Sequence, residues 1–350
     1  MSVFQHILER VSTRTADFAA AAVDRLEGQL LSPWADLSVM TLGASLLIAV
    51  VWLMRGRLRP VKVLRRALFP RRWLFGPSAR IDWLFTFLNL FIIGSLVGWA
   101  ILSGSAIGDA VNGWLIDAFG PRASPGASGW LAVLLATFVL FLAHEAAYFS
   151  DHFLSHKVPF LWHFHRVHHL AETLSPLTNY RVHPVDSVVF FNIAALFGGV
   201  AMGVLRYAMP AAQALEVEGT NAFVLVALYL LTHLQHSHVW IPATGRLGAV
   251  ILSPAHHQLH HSDDPAHHDC NFGSNLALFD WLAGTLVRPT ARRPKLVFGA
   301  GAYSVDPHSI HGALVQPFIE AARPLLGRAR AADEPPAPAA AQIASTGNLR

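Results

Sequence analysis

Two short blocks of histidine constrain this chain more than any other feature. Of its 20 histidines, 17 fall between residues 144 and 183 or between residues 233 and 268. Each block contains the pattern His-x-x-His-His, at 165–169 and again at 257–261. Residues three and four apart share one face of a helix, so this spacing directs several imidazoles toward a common charge. The pattern predicts a metal site that two distant segments of the chain build together.

The spacing also indicates how many ions are held. His152 and His156 form a further pair four residues apart, directly after an apolar segment. In each His-x-x-His-His the outer histidines are four apart, whereas the middle one lies about 100° around the helix from the last. With His183 and His236, ten imidazoles are well placed, which is more than one ion needs. Two metal ions are the simpler interpretation, and imidazole suits Fe, Cu, Zn and Ni alike.

Composition places the chain in a membrane. Hydrophobic residues make up 53% of the sequence and charged residues 14%, with a mean hydropathy of +0.41. Apolar stretches at 37–54, 83–108, 126–143, 187–205 and 220–231 predict an all-α integral membrane protein with about four to five transmembrane helices. Nine Arg and Lys residues between 55 and 80 predict a cytosolic loop of the inner, or cytoplasmic, membrane. Threading the spans from that loop puts both histidine blocks in a cytosolic helical cap that holds the dimetal site.

The remaining segments follow from composition. We expect an amphipathic interfacial segment at 1–36, transmembrane helices at 37–130, a histidine-bearing domain at 131–286, and a polar extension with a disordered Ala- and Pro-rich tail at 287–350. The Gly-, Ser- and Pro-rich stretch 103–129 predicts a short external connection. Pro159, Pro176 and Pro184 predict helix boundaries. The lone Cys270 excludes an internal disulfide and a multi-thiolate site, and a formal charge of +4 is too small to indicate nucleic-acid binding.

Three further side chains are candidates for roles beside the metals. Glu145 and Asp151 are placed either to accept a hydrogen bond from a liganding imidazole or to ligate directly. Asn271, in an Asn-Phe-Gly turn, is placed to lend its amide to the site. We expect the histidines that lie off the repeated spacings to be outside the ligand set. These are His144, His163, His238, His256, His267 and His268, whereas His233 is left open.

An all-nitrogen dimetal site at a membrane surface suits oxidation of a lipid C–H bond by iron and dioxygen. The alternative is a membrane divalent-metal transporter or metal-binding protein. It requires polar residues along the spans, and the first four spans carry almost none beyond Asn89 and Asn192. A bis-histidine cytochrome requires paired histidines at membrane depth on separate helices, and these clusters are too dense for that.

Several ordered motifs between about 140 and 286 resemble those of the fatty acid hydroxylase / sterol desaturase superfamily of integral-membrane di-iron oxygenases. They are an acidic residue seven before His-x-x-x-His (Glu145, His152, His156), Trp-x-x-His-x-x-His-His (Trp162 to His169), Arg-x-His-Pro (Arg181 to Pro184), His-Ser (His236), Pro-x-x-His-x-x-His-His (Pro254 to His261), Asn-Phe-Gly (Asn271) and Asp-x-x-x-Gly-Thr (Asp280 to Thr285).

The resemblance implies a catalytic domain over 131–286 that binds two Fe ions and uses O2 as co-substrate. It also implies an external electron donor, such as a ferredoxin or a cytochrome b5-type protein, and a lipid substrate such as a sterol, hopanoid or fatty acyl chain. Hydroxylation and desaturation both remain open. The implied metal ligands are His152, His156, His165, His168, His169, His183, His236, His257, His260 and His261.

Overall fold

The chain is mostly helical. The computed structural model describes residues 20–21, 23–55, 74–93, 98–122 and 129–324. Within these ranges the only sheet is a hairpin of Glu216–Val217 with Thr220–Asn221. Besides a helical stretch at 23–31 and shorter helical turns, the described residues form α1 (Val39–Met54), α2 (Pro77–Leu88), α3 (Gly104–Phe119), α4 (Trp130–Lys157), α5 (Pro159–His169), α6 (Pro184–Ala208), α7 (Ala222–Ala227), α8 (Pro254–His260), α9 (Leu278–Ala283) and α10 (Gln316–Ala322).

Two helices are long and apolar enough to cross a membrane. They are α4, with 28 residues, and α6, with 25 residues, and they contain most of the third and fourth predicted spans. Large apolar side chains on α4 face outward, and Leu131 is 80% exposed. Helix α1 and the segment Ala222–Gln235 are apolar but shorter. In the described part of the chain, therefore, two of the five predicted stretches form helices of membrane-spanning length.

The predicted connection at 103–129 is not a loop, because most of it is helical, and its external location stays a prediction. Residues Gly104–Phe119 form helix α3, and the Ser103 hydroxyl caps it by accepting a hydrogen bond from the backbone N–H of Ala106. The predicted span 83–108 is not one continuous helix either. The α-helix α2 ends at Leu88 and is followed by a π-helical turn, Asn89–Ile93. Helix α3 begins at Gly104 as a separate element.

Small residues explain the error, because they permit close helix packing here. A Cβ on Gly199 of α6 would lie 2.7 Å from the Gly104 carbonyl oxygen, and one on Gly203 would lie 2.6 Å from that of Gly108. Helices α3 and α6 therefore approach each other through glycine on both sides, as transmembrane helices often do. By composition alone the same glycines indicate a loop.

The predicted proline boundaries are confirmed. Val158 is extended and ends α4, and Pro159 is the first residue of α5. Pro176 begins a short 3-10 turn, and Pro184 begins α6. The chain therefore reverses after α4, so that α5 packs back against the end of α4 that carries histidine.

Parts of three predicted segments lie outside the described residues. They are most of the amphipathic segment at 1–36, most of the basic loop at 55–80 and the tail after 324.

Candidate metal centre

Nine histidines from both sequence blocks converge in two groups. Within each group, one ring nitrogen per histidine lies within 4.8 Å of all the others. The five-histidine cluster contains His152, His156, His165, His169 and His260, and the four-histidine cluster contains His168, His236, His257 and His261.

Each His-x-x-His-His motif serves both clusters. From α5, the outer pair His165 and His169 joins the five-histidine cluster, while His168 joins the four-histidine cluster. The second motif divides in the opposite sense, since His257 and His261 join the four-histidine cluster and His260 the other. The clusters are immediate neighbours, because the His169 and His261 rings stack with centroids 4.5 Å apart.

The nitrogens of the four-histidine cluster are too close-set for hydrogen bonding alone. The Nε2 atom of His236 lies 2.8 Å from that of His257 and 3.1 Å from that of His261, and the latter two are 3.1 Å apart. A neutral imidazole carries a single N–H, so three Nε2 atoms in a triangle cannot all be satisfied by one another. Two imidazole nitrogens bound to one ion at about 2.1 Å lie about 3.0–3.4 Å apart. These donors fit a metal ion.

The five-histidine cluster fits an ion for a related reason. His169 Nε2 lies 3.1 Å from the Nε2 atoms of both His156 and His260. The Nε2 atoms of His152 and His165 are buried and have no hydrogen-bond partner. Buried polar atoms are rarely left unpaired, and a metal ion accounts for both.

Hydrogen bonds at the far side of three rings fix their orientation. His152 Nδ1 donates to the Phe272 carbonyl oxygen at 2.8 Å, and His260 Nδ1 donates to that of Cys270 at 2.7 Å. His165 Nδ1 donates to Asp186 Oδ2 at 3.0 Å. A proton held on Nδ1 leaves the Nε2 lone pair free, which is the tautomer that metal binding requires.

Burial keeps His236 and His260 neutral at physiological pH. Burial, reinforced by neighbouring imidazoles, lowers the pKa of His236 to about 3. Burial also dominates at His260, where it lowers the pKa to about 3 although the Cys270 carbonyl opposes it. The Phe272 ring packs against His152, His156 and His260 and adds an apolar wall. Neutral rings in a dry site are ready to bind metal.

Two buried carboxylates hold the loop that supplies the carbonyl acceptors. Asp280 accepts hydrogen bonds from the backbone N–H groups of Phe272 and Gly273, both at 2.8 Å. Glu145 accepts from the backbone N–H groups of Asn275 at 2.9 Å and Leu276 at 2.7 Å. Glu145, expected beside the metals, therefore acts on the loop and makes no hydrogen bond to a clustered histidine.

The other two candidates beside the metals also make no hydrogen bond to a clustered imidazole. The Asn271 amide donates to the carbonyl oxygens of His256 and Val287 and so fastens the backbone. Asp151 is buried, and its Oδ1 has no hydrogen-bond partner.

The carboxylate that forms a hydrogen bond with a clustered histidine is Asp186, which the sequence motifs did not indicate. As an acidic residue in the first turn of α6 it resembles an ordinary helix-start residue, so it gave no distinct signal. Asp269 Oδ1 lies 3.7 Å from His156 Nδ1.

His183 lies outside both clusters. Its Nδ1 accepts a hydrogen bond from the Val185 N–H at 3.2 Å and caps α6, and its Nε2 donates to the Leu314 carbonyl oxygen at 3.3 Å. Both ring nitrogens are thus occupied. His256 is buried and bonded to Ser253 and Gly248, outside both clusters as expected. His233, which was left open, donates to the Asp36 carbonyl oxygen.

A segment beyond the histidine blocks supports the outer side of α5. On α10, Glu320 accepts hydrogen bonds from Ser304 at 2.8 Å and Gln316 at 3.2 Å, and it lies 3.4 Å from His163 Nδ1. Arg166 donates to the Ala300 carbonyl oxygen at 2.9 Å. Residues 299–322 therefore clamp the helix that carries three of the clustered histidines, and we call them the α10 clamp.

Residues 137–285 match the fatty acid hydroxylase family. The chain is 31% identical over 159 residues to ornithine lipid hydroxylase OlsE of Rhizobium tropici, covering 45% of this chain and 41% of that protein. It is 32% identical over 176 residues to cholesterol 25-hydroxylase of Rattus norvegicus, covering 47% of this chain and 50% of that protein. Alkylglycerol monooxygenase of Homo sapiens is 26% identical over 162 residues, covering 45% of this chain and 32% of that protein.

The match spans half or less of the length of each of these relatives. No solved structure matches the chain. The matched region contains all nine clustered histidines, from His152 to His261. Residues 137–285 therefore match the fatty acid hydroxylase family, and the resemblance to that superfamily inferred from the sequence motifs is confirmed.

Proposed function

We propose that this protein is a membrane-bound di-iron hydroxylase that inserts oxygen from O2 into a C–H bond of a lipid. The observation that carries the proposal is the pair of adjacent, buried, all-histidine clusters. Their nine histidines are the proposed ligands, and His183 is left out because both of its ring nitrogens are already bonded.

Iron bound at such a site supplies the reductive activation of dioxygen that C–H oxidation requires. The chain itself provides positions, dryness and fixed tautomers. Carbonyl groups at Cys270 and Phe272 and the Asp186 carboxylate keep protons on the outer nitrogens of three rings. Phe272 and Trp162 pack against clustered histidines and limit the access of water.

Hydroxylation is preferred to desaturation because the relatives described above are hydroxylases or a monooxygenase. Their names specify an ornithine lipid, cholesterol and an alkylglycerol, so a lipid is the substrate class they share. A ferredoxin or a cytochrome b5-type protein is the proposed electron donor.

The proposed setting is the cytoplasmic membrane, crossed by four to five helices with the histidine clusters on the cytosolic side. Helices α4 and α6 support the membrane location. The cytosolic orientation is supported by the Arg- and Lys-rich sequence between 55 and 80.

The decisive experiment combines metal analysis with product analysis. We expect purified protein, loaded anaerobically with Fe(II), to hold two iron ions per chain. Cells that express it should accumulate a lipid that gains one oxygen atom, labelled when the cells grow under ¹⁸O2. Lipid profiles of a deletion strain and a complemented strain identify the substrate.

Two variants and a matched control complete the test. His168→Ala and His260→Ala each remove one ligand from a different cluster, so both should lose iron and product. His268→Ala changes an exposed histidine outside both clusters and should retain both. Full iron content and turnover in both cluster variants, or product oxygen derived from water, would contradict the proposal.

A further inference from the structure

Helix α9 turns an apolar face outward. Leu278, Trp281 and Leu282 are spaced by three and four residues and share that face. Trp281 is 64% exposed and Leu282 65%, whereas Asp280 on the other side is buried. A helix on a water-facing surface has the opposite pattern.

A second exposed apolar segment lies beside α9. Leu247 and Val250 are 57% and 58% exposed. The backbone N–H of Ala277, directly before α9, donates to the Val250 carbonyl oxygen at 2.9 Å, so the two segments are adjacent. We call Leu247, Val250, Leu278, Trp281 and Leu282 the α9 surface. Adjacent exposed apolar side chains of this kind mark an interaction site.

The position of α9 along α4 identifies what covers this surface. Phe279 packs against Phe149 of α4, with ring centroids 5.9 Å apart. Phe149 lies 19 residues after Trp130, at the start of α4, which corresponds to about 28 Å of helix. The hydrocarbon core of a bilayer is about 30 Å thick. If α4 enters the bilayer at Trp130, α9 lies where α4 leaves it.

The exposed charges in the stretches of sequence that contain the α9 surface and directly follow α9 are of one sign. Within 244–250 and 276–297 the exposed charged residues are Arg246, Arg288, Arg292, Arg293 and Lys295. Asp280 is the one acidic residue in these ranges, and it is buried. Basic residues beside an apolar, Trp-containing face are typical of a segment that lies in a membrane interface.

We propose that the α9 surface lies in the bilayer interface and that the adjacent basic residues bind anionic lipid headgroups. A soluble protein would need an apolar patch for Trp281 and Leu282 together with an acidic rim for the basic residues. A bilayer satisfies both. Because Asp280 of α9 holds the Phe272 loop that orients His152, this contact also sets the depth of the histidine clusters relative to the lipid.

A fluorophore at position 282 tests the apolar contact. The full chain carrying Leu282→Cys is labelled and reconstituted in phosphatidylcholine vesicles with or without phosphatidylglycerol. Native Cys270 is 2% exposed, and unmutated protein gives the background labelling. We expect acyl-brominated lipid to quench the label as strongly as at Leu131→Cys, and iodide to quench it weakly. Exposed Asp264→Cys provides the water-accessible reference.

The basic residues are tested with the same label. At equal mole fraction, brominated phosphatidylglycerol should quench it more than brominated phosphatidylcholine. Replacing Arg288 and Arg292 by Gln should abolish that preference, because each basic residue near an anionic surface favours its lipid about five-fold. Replacing Arg122 and Arg206, at the other end of α6, removes the same charge and should leave the preference intact.

Strong iodide quenching without quenching by brominated lipid would overturn the proposal and assign the α9 surface to a soluble partner. An unchanged lipid preference in the Arg288 and Arg292 variant would overturn the headgroup assignment. Neither measurement depends on iron or turnover, so failure here is distinct from failure of the hydroxylase proposal.

Discussion

At the scale of single residues, orientation of the rings matters as much as their identity. Asp186 is the one carboxylate with a hydrogen bond to a clustered histidine, among the residues that the structure describes. Its partner His165 has a buried Nε2 without a partner and faces the other rings of the five-histidine cluster. The carboxylate therefore acts on the proposed metal through the imidazole.

Replacing Asp186 by Asn should weaken iron binding without unfolding the protein. The amide keeps the size of the side chain but removes the negative charge that holds the proton on His165 Nδ1. We expect iron affinity to fall about 10–100-fold, as for other partners of metal-bound histidine. Anaerobic Fe(II) titration measures it, and Asp117→Asn, an exposed change on α3, is the control. Unchanged affinity would show that Asp186 does not position His165.

At the scale of elements, the α10 clamp and the α3–α6 contact stabilise the packing of the helices around the histidine clusters. Burial alone would raise the pKa of Glu320, but the neighbouring His163, hydrogen bonds from Ser304 and Gln316, and the nearby Arg166 charge prevail and lower the pKa to about 2. The ionised carboxylate is therefore favoured in the folded state. Its stabilising contribution is complete above the ordinary pKa of 4.5 and is lost as the pH falls toward 2.

Replacing Glu320 by Gln should lower the thermal midpoint of iron-free protein at neutral pH. The difference from the unmutated protein should shrink between pH 4.5 and pH 2, since protonated Glu320 and Gln carry the same charge. Thermal melts across this range measure it. Glu172→Gln, at a carboxylate 63% exposed, should have little effect. A difference that does not vary with pH would mean that the Glu320 charge is irrelevant.

Adjacent glycines on α6 give a matched test of the α3–α6 contact. Gly199→Ala places a Cβ 2.7 Å from the Gly104 carbonyl oxygen, whereas a Cβ on Gly198 would have no heavy atom within 4 Å. We expect Gly199→Ala to destabilise the fold by about 1–3 kcal/mol, as overpacking does. Gly198→Ala should be neutral or stabilising. Equal melting temperatures for the two variants in detergent would exclude close packing of α3 on α6.

At the scale of the whole molecule, metal binding should stabilise the fold. The clustered histidines come from α4, α5, α8 and the turn that ends the Ala222–Gln235 segment, so each ion would connect elements that are distant in sequence. At a free Fe(II) concentration of one hundred times Kd, a site adds about 2.7 kcal/mol. We expect Fe(II) to raise the thermal midpoint and a chelator to reverse it. His260→Ala should show a smaller rise, and no rise in the unmutated protein would contradict metal binding.

Much of the site could be predicted from the sequence because it depends on local spacing. Positions three and four apart on a helix share a face whatever the tertiary structure, so the pair His152 and His156 and both His-x-x-His-His motifs were recognisable as candidate ligands. Proline boundaries are equally local, because the ring limits the backbone wherever it occurs.

Tertiary structure alone decided which distant groups meet. The division of the motifs between two clusters, the pairing of His165 with Asp186 and the bonding of His183 to Leu314 all depend on how helices pack. The same applies to α3, whose glycines are loop-like in composition but face α6 across a close contact. Local spacing determines which side chains share a helix face, whereas contacts between segments depend on packing, which no short stretch of sequence contains.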